Sequence, residues 1–260
     1  MTDGTFKDDA FKDSVLVVTG GSRGIGAACV RRAAAAGYGR IVINYTRDKA
    51  AADQVAAEAG ALGAQVLVVQ GDMAVEADIA RLFAETDARF GPLTHLVNNA
   101  GITGLAGPFA DADPAEMARV IDLNVTGAIR VAQQAVRRMA KSRGGAGGAI
   151  VNISSMAAAL GSPGEYVWYA ASKGAIDSFT LGLGREVARD GIRVNAVAPG
   201  LIATDIHDAS GVAGRLERLA PTVPAGRAGT AEEVAQAVLF LLSEAASYTA
   251  GAVLKVSGGR

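Results

Sequence analysis

Cysteine is almost absent. The single Cys29 among 260 residues leaves no disulfide framework, no CxxC pair and no thiolate cluster for a metal. It stands in an Ala-rich helical pattern and reads as a small buried apolar residue. Histidine is scarce too: His95 and His207 lie far apart, and neither has a histidine or carboxylate partner at ligand spacing. Charge of one sign is missing, with 25 Lys and Arg against 26 Asp and Glu for a net −1, so neither a polyanion-binding footprint nor an acidic tail is present and nucleic acid is not the expected partner. The basic Arg137-Arg138 pair with Lys141 reads as the solvated end of a helix. No run approaches the roughly 18 apolar residues of a membrane span. Residues 1–9 lack the basic and apolar regions of a secretory signal. A cytoplasmic protein with no membrane partner and no metal is the expectation.

Half the residues are hydrophobic, enough for a sizeable core, and glycine is in excess at 33 residues with no Gly-X-Y period. Apolar runs at 14–19, 41–45, 65–70, 93–98, 149–154, 193–198 and 253–256 mostly lack the alternation of a half-exposed strand, which predicts strands buried on both faces. Helical patterns at 24–36, 48–62, 76–90, 114–141, 168–189 and 231–243 separate them. Asp113-Pro114-Ala115-Glu116 supplies a cap, a proline at the first helical position and an acid for the fourth helix. Strands alternating with helices predict βαβ units, and no linker divides the chain, so the expectation is one α/β doubly wound domain over 1–260 with a mostly parallel seven-stranded sheet. Gly144, Gly145, Gly147 and Gly148 read as a plain flexible loop, too short to separate domains.

Directly after the first strand stands Thr19-Gly20-Gly21-Ser22-Arg23-Gly24-Ile25-Gly26, opening a helix. Glycines at a strand-to-helix turn let the backbone approach a pyrophosphate, and the helix N-terminus offers unpaired N–H groups and a favourable dipole. This places Gly20, Ser22, Arg23, Gly24, Ile25 and Gly26 on a dinucleotide phosphate. The second strand ends Asn44-Tyr45-Thr46-Arg47 with no carboxylate at its tip for a ribose 2′-hydroxyl, and Asp48 reads as a helix start. Arg23 and Arg47 instead suit a 2′-phosphate, so NADP(H) is preferred over NAD(H), which remains possible.

Tyr169 and Lys173 stand at i and i+4 on one helix face, where the ammonium favours the phenolate of a tyrosine whose free pKa is about 10. Tyr166 has Ala170 four residues on and is no such pair. Together with Asn98-Asn99-Ala100-Gly101 after the fourth strand, the TGxxxGxG turn and the terminal Val256-Ser257-Gly258-Gly259, in this order and at these intervals, the chain resembles the classical short-chain dehydrogenase/reductase family over essentially its whole length. That resemblance implies a Rossmann fold and hydride transfer between a nicotinamide and a carbonyl or secondary alcohol. It assigns Asn124, Ser155, Tyr169 and Lys173 as the catalytic set, with Ser154 the less favoured neighbour of Ser155. It further implies that Asp72 and Met73 lie by the adenine, that Asn98, Ala100 and Gly101 line the cofactor, and that Pro199, Gly200, Ile202 and Thr204 embrace the nicotinamide, which Tyr169 and Lys173 also touch.

The family places a substrate lid near 201–223. Here that segment holds Asp205, His207, Asp208, Ser210, Gly211 and Gly214, followed by Arg215 and Arg218, a polar mixture that names no substrate. Residues 162–168 offer aromatic walls and one carboxylate, Glu165. Reduction of a 3-oxoacyl thioester, oxidation of a sugar and reduction of a small ketone are all compatible. On the Tyr169 helix, Ala170, Gly174, Ser178 and Gly182 form a small-residue stripe beside a larger apolar stripe of Ala175, Phe179, Leu183 and Val187. One stripe is expected on the sheet and the other on a subunit, as in the homotetramers common in the family. A non-catalytic cofactor-binding regulator would show a broken Asn-Ser-Tyr-Lys set, and all four are present.

Overall fold

The apolar runs become strands, and those inside the sheet have side chains covered from both sides, whereas Gln65–Gln70 and Val253–Val256 are the two edges. In the computed structural model, described over residues 11–204 and 214–260, β1 (Val15–Val18) is buried at every position, and β2 (Arg40–Tyr45) and β5 (Gly148–Ile153) at all but their first. With β3 (Gln65–Gln70), β4 (His95–Asn98), β6 (Ile192–Pro199) and β7 (Val253–Val256) they make one seven-stranded sheet in the order β3-β2-β1-β4-β5-β6-β7, parallel throughout. In register, Val17 faces Val42 on one side and Leu96 on the other.

Alternate residues feed two cores. Leu16, Val18, Ile41 and Ile43 pack under α1 (Gly24–Ala36), α2 (Lys49–Ala61) and the last helix, α9 (Ala231–Leu242). Cys29 lies in this core. Val15, Val17, Leu96, Ile150 and Val194 pack under α3 (Glu76–Phe90), α5 (Ala128–Met139) and α7 (Val167–Glu186). The remaining helices, α4 (Pro114–Ile121), the one-turn α6 (Ala157–Leu160) and α8 (Arg215–Leu219), sit at the carboxyl end of the sheet. Strand order reverses between β1 and β4, which opens a crevice beyond their carboxyl ends, where ligands bind in open parallel sheets.

The structure departs from the sequence reading at three places. The helix expected over 114–141 is continuous but contains a π-helical stretch, Asp122–Gly127, between α4 and α5. Gly127 closes that stretch against the backbone after β3, where a Cβ would lie 2.1 Å from the Met73 carbonyl oxygen. Second, β7 is an edge strand with Leu254 and Lys255 exposed, not buried on both faces. Third, the Gly144–Gly148 loop is tightly held. A Cβ at Gly148 (φ 139°) would lie 1.9 Å from the Thr94 carbonyl oxygen, and one at Gly145 would lie 2.4 Å from that of Arg138. On α7, where the sequence left open which stripe faces outward, added Cβ atoms at Gly174 and Gly182 would meet no atom of the chain within 4 Å, whereas Ala170 of the same small stripe is buried.

Candidate active site

A cleft of about 910 Å³ runs along the carboxyl ends of the strands and is lined from the exits of β1 to β6. At one end lies the N-terminus of α1. Arg23 holds its N-cap position with extended backbone and no side-chain cap, and no acid stands in its first turn. The first N–H groups of a 13-residue helix are thus left for a ligand. Gly20 (φ 62°) and Gly24 (φ 53°) adopt the left-handed conformation that this turn needs. Gly20, Ser22, Arg23, Gly24 and Ile25 line the cleft, whereas Gly26 lies behind it, where a Cβ would stand 2.3 Å from the Gly20 carbonyl oxygen. An anionic, pyrophosphate-sized group fits this chemistry.

Beyond β2, Tyr45, Thr46 and Arg47 line the same end. Asp48, whose carboxylate accepts from the Ala51 N–H at 2.9 Å, caps α2 as its position suggested. Arg23 and Arg47 are exposed and have no ion-pair partner among the described residues, so both guanidinium forks are left for a ligand. Asn44 does not line the cleft. Its Oδ1 accepts from Gly20 N at 3.2 Å and its Nδ2 donates to the Gly71 carbonyl at 2.9 Å. Asp72 and Met73 follow β3 into the cleft, and Asp72 Oδ1 accepts from Ala74 N.

After β4 the chain is held by two residues that sequence reasoning passed over in this role. Thr19 Oγ1 accepts from the N–H groups of both Asn99 and Ala100, at 2.9 and 3.0 Å. Asn99 Nδ2 returns to the carbonyls of Thr19 and Gly20. Asn98 is turned away, donating to Asn152 Oδ1 and the Ala128 carbonyl, as a strand-end cap would be. Asn99, Ala100 and Gly101 are left as the cleft wall. Asn124, in the π-helical stretch, pairs with the backbone of Ile102 in both directions (2.9 and 2.8 Å) and donates to Ser172 Oγ, joining this loop to α7.

The centre of the cleft holds Ser155, Tyr169 and Lys173. The Ser155 hydroxyl faces the Tyr169 phenol, whose proton affinity it lowers, and accepts from Ala157 N. Lys173 Nζ lies 5.7 Å from the Tyr169 ring centroid and donates to the Ile153 carbonyl at 2.7 Å. Burial lowers the lysine from 10.5 to about 8, opposed by the carboxylate of Asp177. Burial raises the Tyr169 phenol, opposed by Ser155 and by the charge of Arg215. Ser154, also buried, turns to Asp177 and the Lys173 carbonyl instead of the phenol. Pro199, Gly200, Ile202 and Thr204 close the cleft beyond β6.

The other end is walled by Thr103, Met156, Leu160, Pro163, Tyr166 and Leu219. Tyr166, no partner for a lysine, packs edge-to-face on Tyr169 with centroids 5.4 Å apart. Arg215 makes a two-pronged ion pair with Glu165, Nη2–Oε2 2.6 Å and Nε–Oε1 3.3 Å. Fifty residues separate the two, and neither carries a local signal of the pairing. Of the expected lid, Asp205, His207, Asp208, Ser210 and Gly211 lie outside the described residues.

The family model described as enoyl-(acyl carrier protein) reductase matches residues 20–260. The chain is 46% identical over 247 residues, 95% of its length and all of the other protein's, to a protein of Escherichia coli (strain K12) named uncharacterized oxidoreductase YgfF. It is 37% identical to a 3-oxoacyl-[acyl-carrier-protein] reductase of a Synechocystis species, over 96% of this chain and 98% of that one. Among solved structures, a short-chain dehydrogenase from Burkholderia cenocepacia in complex with NADP matches with a TM-score of 0.87 and 32% identity, covering 96% of this chain and 98% of that one.

Proposed function

The chain belongs to the classical short-chain dehydrogenase/reductase family and is an oxidoreductase, and on that premise we propose that it is an NADP(H)-preferring enzyme interconverting a carbonyl and a secondary alcohol through Tyr169, Ser155, Lys173 and Asn124. The observation that carries the reading is the meeting of the Ser155 hydroxyl and the Tyr169 phenol at the middle of one cleft, with the Lys173 ammonium against the same ring.

When bound, the nicotinamide supplies or accepts the hydride. The chain's own residues do the rest. In reduction, the Tyr169 phenol gives its proton to the substrate oxygen, and the Ser155 hydroxyl donates to the same oxygen as charge develops there. Lys173 then stabilises the phenolate left behind. In oxidation Tyr169 takes the proton. Asn124 holds the Gly101–Ile102 segment against α7. The uncapped turn of α1 would hold the pyrophosphate, Arg23 and Arg47 the 2′-phosphate, Asp72 and Met73 the adenine, and Pro199 to Thr204 the nicotinamide end. Asn44, Gly26 and Asn98 support this surface from behind.

Within this chemistry a 3-oxoacyl thioester is the substrate class with a specific observation in its favour, the name of the Synechocystis relative; a sugar dehydrogenase is the alternative. The open face of α7, with Gly174, Gly182 and the exposed Leu181, supports a homotetramer. A cytoplasmic setting is part of the same reading. No helix among the described residues is long and apolar enough to cross a membrane. A panel of carbonyls and alcohols assayed with NADPH and NADH in parallel, on wild type and Tyr169→Phe, tests the proposal. The variant should bind cofactor and lose turnover. Wild-type turnover in it overturns the mechanism, and a tenfold preference for NADH, about 1.4 kcal/mol the other way, overturns the arginine assignment.

A further inference from the structure

Tyr169 has a cation on each side. Lys173 and, one turn further, Asp177 stand behind it on its own helix. Before it, three groups form a chain. Arg215 on α8 is 8% exposed, forks onto Glu165 and places its guanidinium carbon 5.4 Å from the centroid of the Tyr166 ring. Tyr166 follows Glu165 in sequence and feels its carboxylate, and its ring meets that of Tyr169 at 89° with centroids 5.4 Å apart. The buried Tyr166 ring stands against both Arg215 and Tyr169, so part of the path between guanidinium and phenol is of low dielectric and the field there is screened less than across water alone. Glu165, further along the same chain, offsets part of that field. Arg218 also faces Glu165 from α8, and Arg119, paired with Glu116 on α4, lines the rim of the cleft.

We propose that the Glu165–Arg215 pair is an electrostatic positioning element for the Tyr169 phenol, acting through Tyr166. The lid helix that carries Arg215 then sets the proton affinity of the reacting group as well as covering the substrate. This inference rests on Tyr169 being the proton carrier.

The two halves of the pair have opposite signs, and that separates a field from a brace. Arg215→Met removes the cation and leaves the carboxylate, so the ascending, low-pH limb of alcohol oxidation, which reports formation of the phenolate, moves up by about half a pH unit or more. Glu165→Gln leaves the guanidinium uncompensated, and the limb moves down. Arg215→Lys restores much of the wild-type position, and the doubly neutral variant lies near it. Tyrosinate ultraviolet absorbance, read against the Tyr169→Phe blank for each background, should shift in the same directions without turnover. If both single variants move the limb the same way, or neither moves it, the pair is only a brace and the proposal is overturned. Loss of the proton-carrier reading looks different: Tyr169→Phe then keeps its turnover whatever Glu165 and Arg215 do.

Discussion

Asp177 stands one helical turn beyond Lys173, and its Oδ1 is buried without a hydrogen-bond partner while the lysine donates to the Ile153 carbonyl. The carboxylate helps to keep a buried ammonium charged but is itself poorly satisfied. Burial pushes the Asp177 carboxyl above its usual range, opposed by the Ser154 hydroxyl and by Lys173. Charge at this point of the fold therefore costs stability.

The cost has a definite pH signature. Lys173 titrates at about 8 when folded and near 10.5 when unfolded. Between those values the unfolded chain binds the extra proton, so stability of the cofactor-free protein gains a contribution as pH rises through this window, on the order of 3 kcal/mol in full. Above pH 9 the buried Cys29 thiol, raised to about 12, works in the opposite direction, because the unfolded thiol ionises first. Denaturant unfolding of wild type and Lys173→Met at pH 7, 8 and 9 should show the variant more stable at pH 7, with the difference shrinking towards pH 9. A constant difference would disprove this account of the lysine.

Asp177→Asn should raise the thermal midpoint of the cofactor-free protein at pH 7, because an ionised acid with a raised folded value destabilises the fold once pH passes that value. The same change removes the group that opposes the lowering of Lys173. The rise in stability assigned to the lysine should then begin at lower pH, and turnover at pH 7 should fall. A midpoint unchanged or lowered, with turnover intact, would show that Asp177 is an ordinary surface acid.

Arg23 and Arg47 have no ion-pair partner among the described residues, so replacing them disrupts no such contact there. Arg47→Ala should weaken NADPH binding about tenfold or more while leaving NADH within a factor of two, and Arg23→Ala should act in the same direction. Equilibrium titration by nicotinamide fluorescence measures both. Equal losses for the two cofactors would place the arginines on the pyrophosphate.

Gly127→Ala forces a methyl against the Met73 backbone, which has no side-chain slack. Destabilisation of about 2 kcal/mol is expected, with weaker cofactor binding because Met73 lines the cleft. Gly174→Ala meets no atom of the chain. It should be neutral or slightly stabilising within one subunit, so any loss of assembly in that variant, read by sizing chromatography, reports the outward face of α7 alone.

Strands, helices and their order were legible because buried parallel strands are continuous apolar runs and helices carry the 3.6-residue period. The phosphate turn and the Tyr169–Lys173 pair were legible because their chemistry is local. What escaped depends on distant partners. The close packing of Gly127 on Met73 within the π-helical stretch, the Gly144–Gly148 loop held where Gly148 meets Thr94, and the Arg215 fork onto a carboxylate fifty residues away all depend on contacts distant in sequence. Thr19 and Asn99 were overlooked as loop ties because their hydrogen bonds span eighty residues. For α7, the two-stripe pattern was visible in sequence, but which stripe faced outward required the packed sheet.

Asn44 gives the adenosine end of the cleft its mechanical character. One buried amide receives the backbone of the β1 exit and clasps that of the β3 exit from the end of β2. The three turns are therefore coupled like staves held by a single hoop. Displacement of the turn at Gly20 is passed through Asn44 to Gly71, beside Asp72. That edge of the cleft is braced by one side chain, whereas the opposite bank, where α8 meets Glu165, is held by an ion pair.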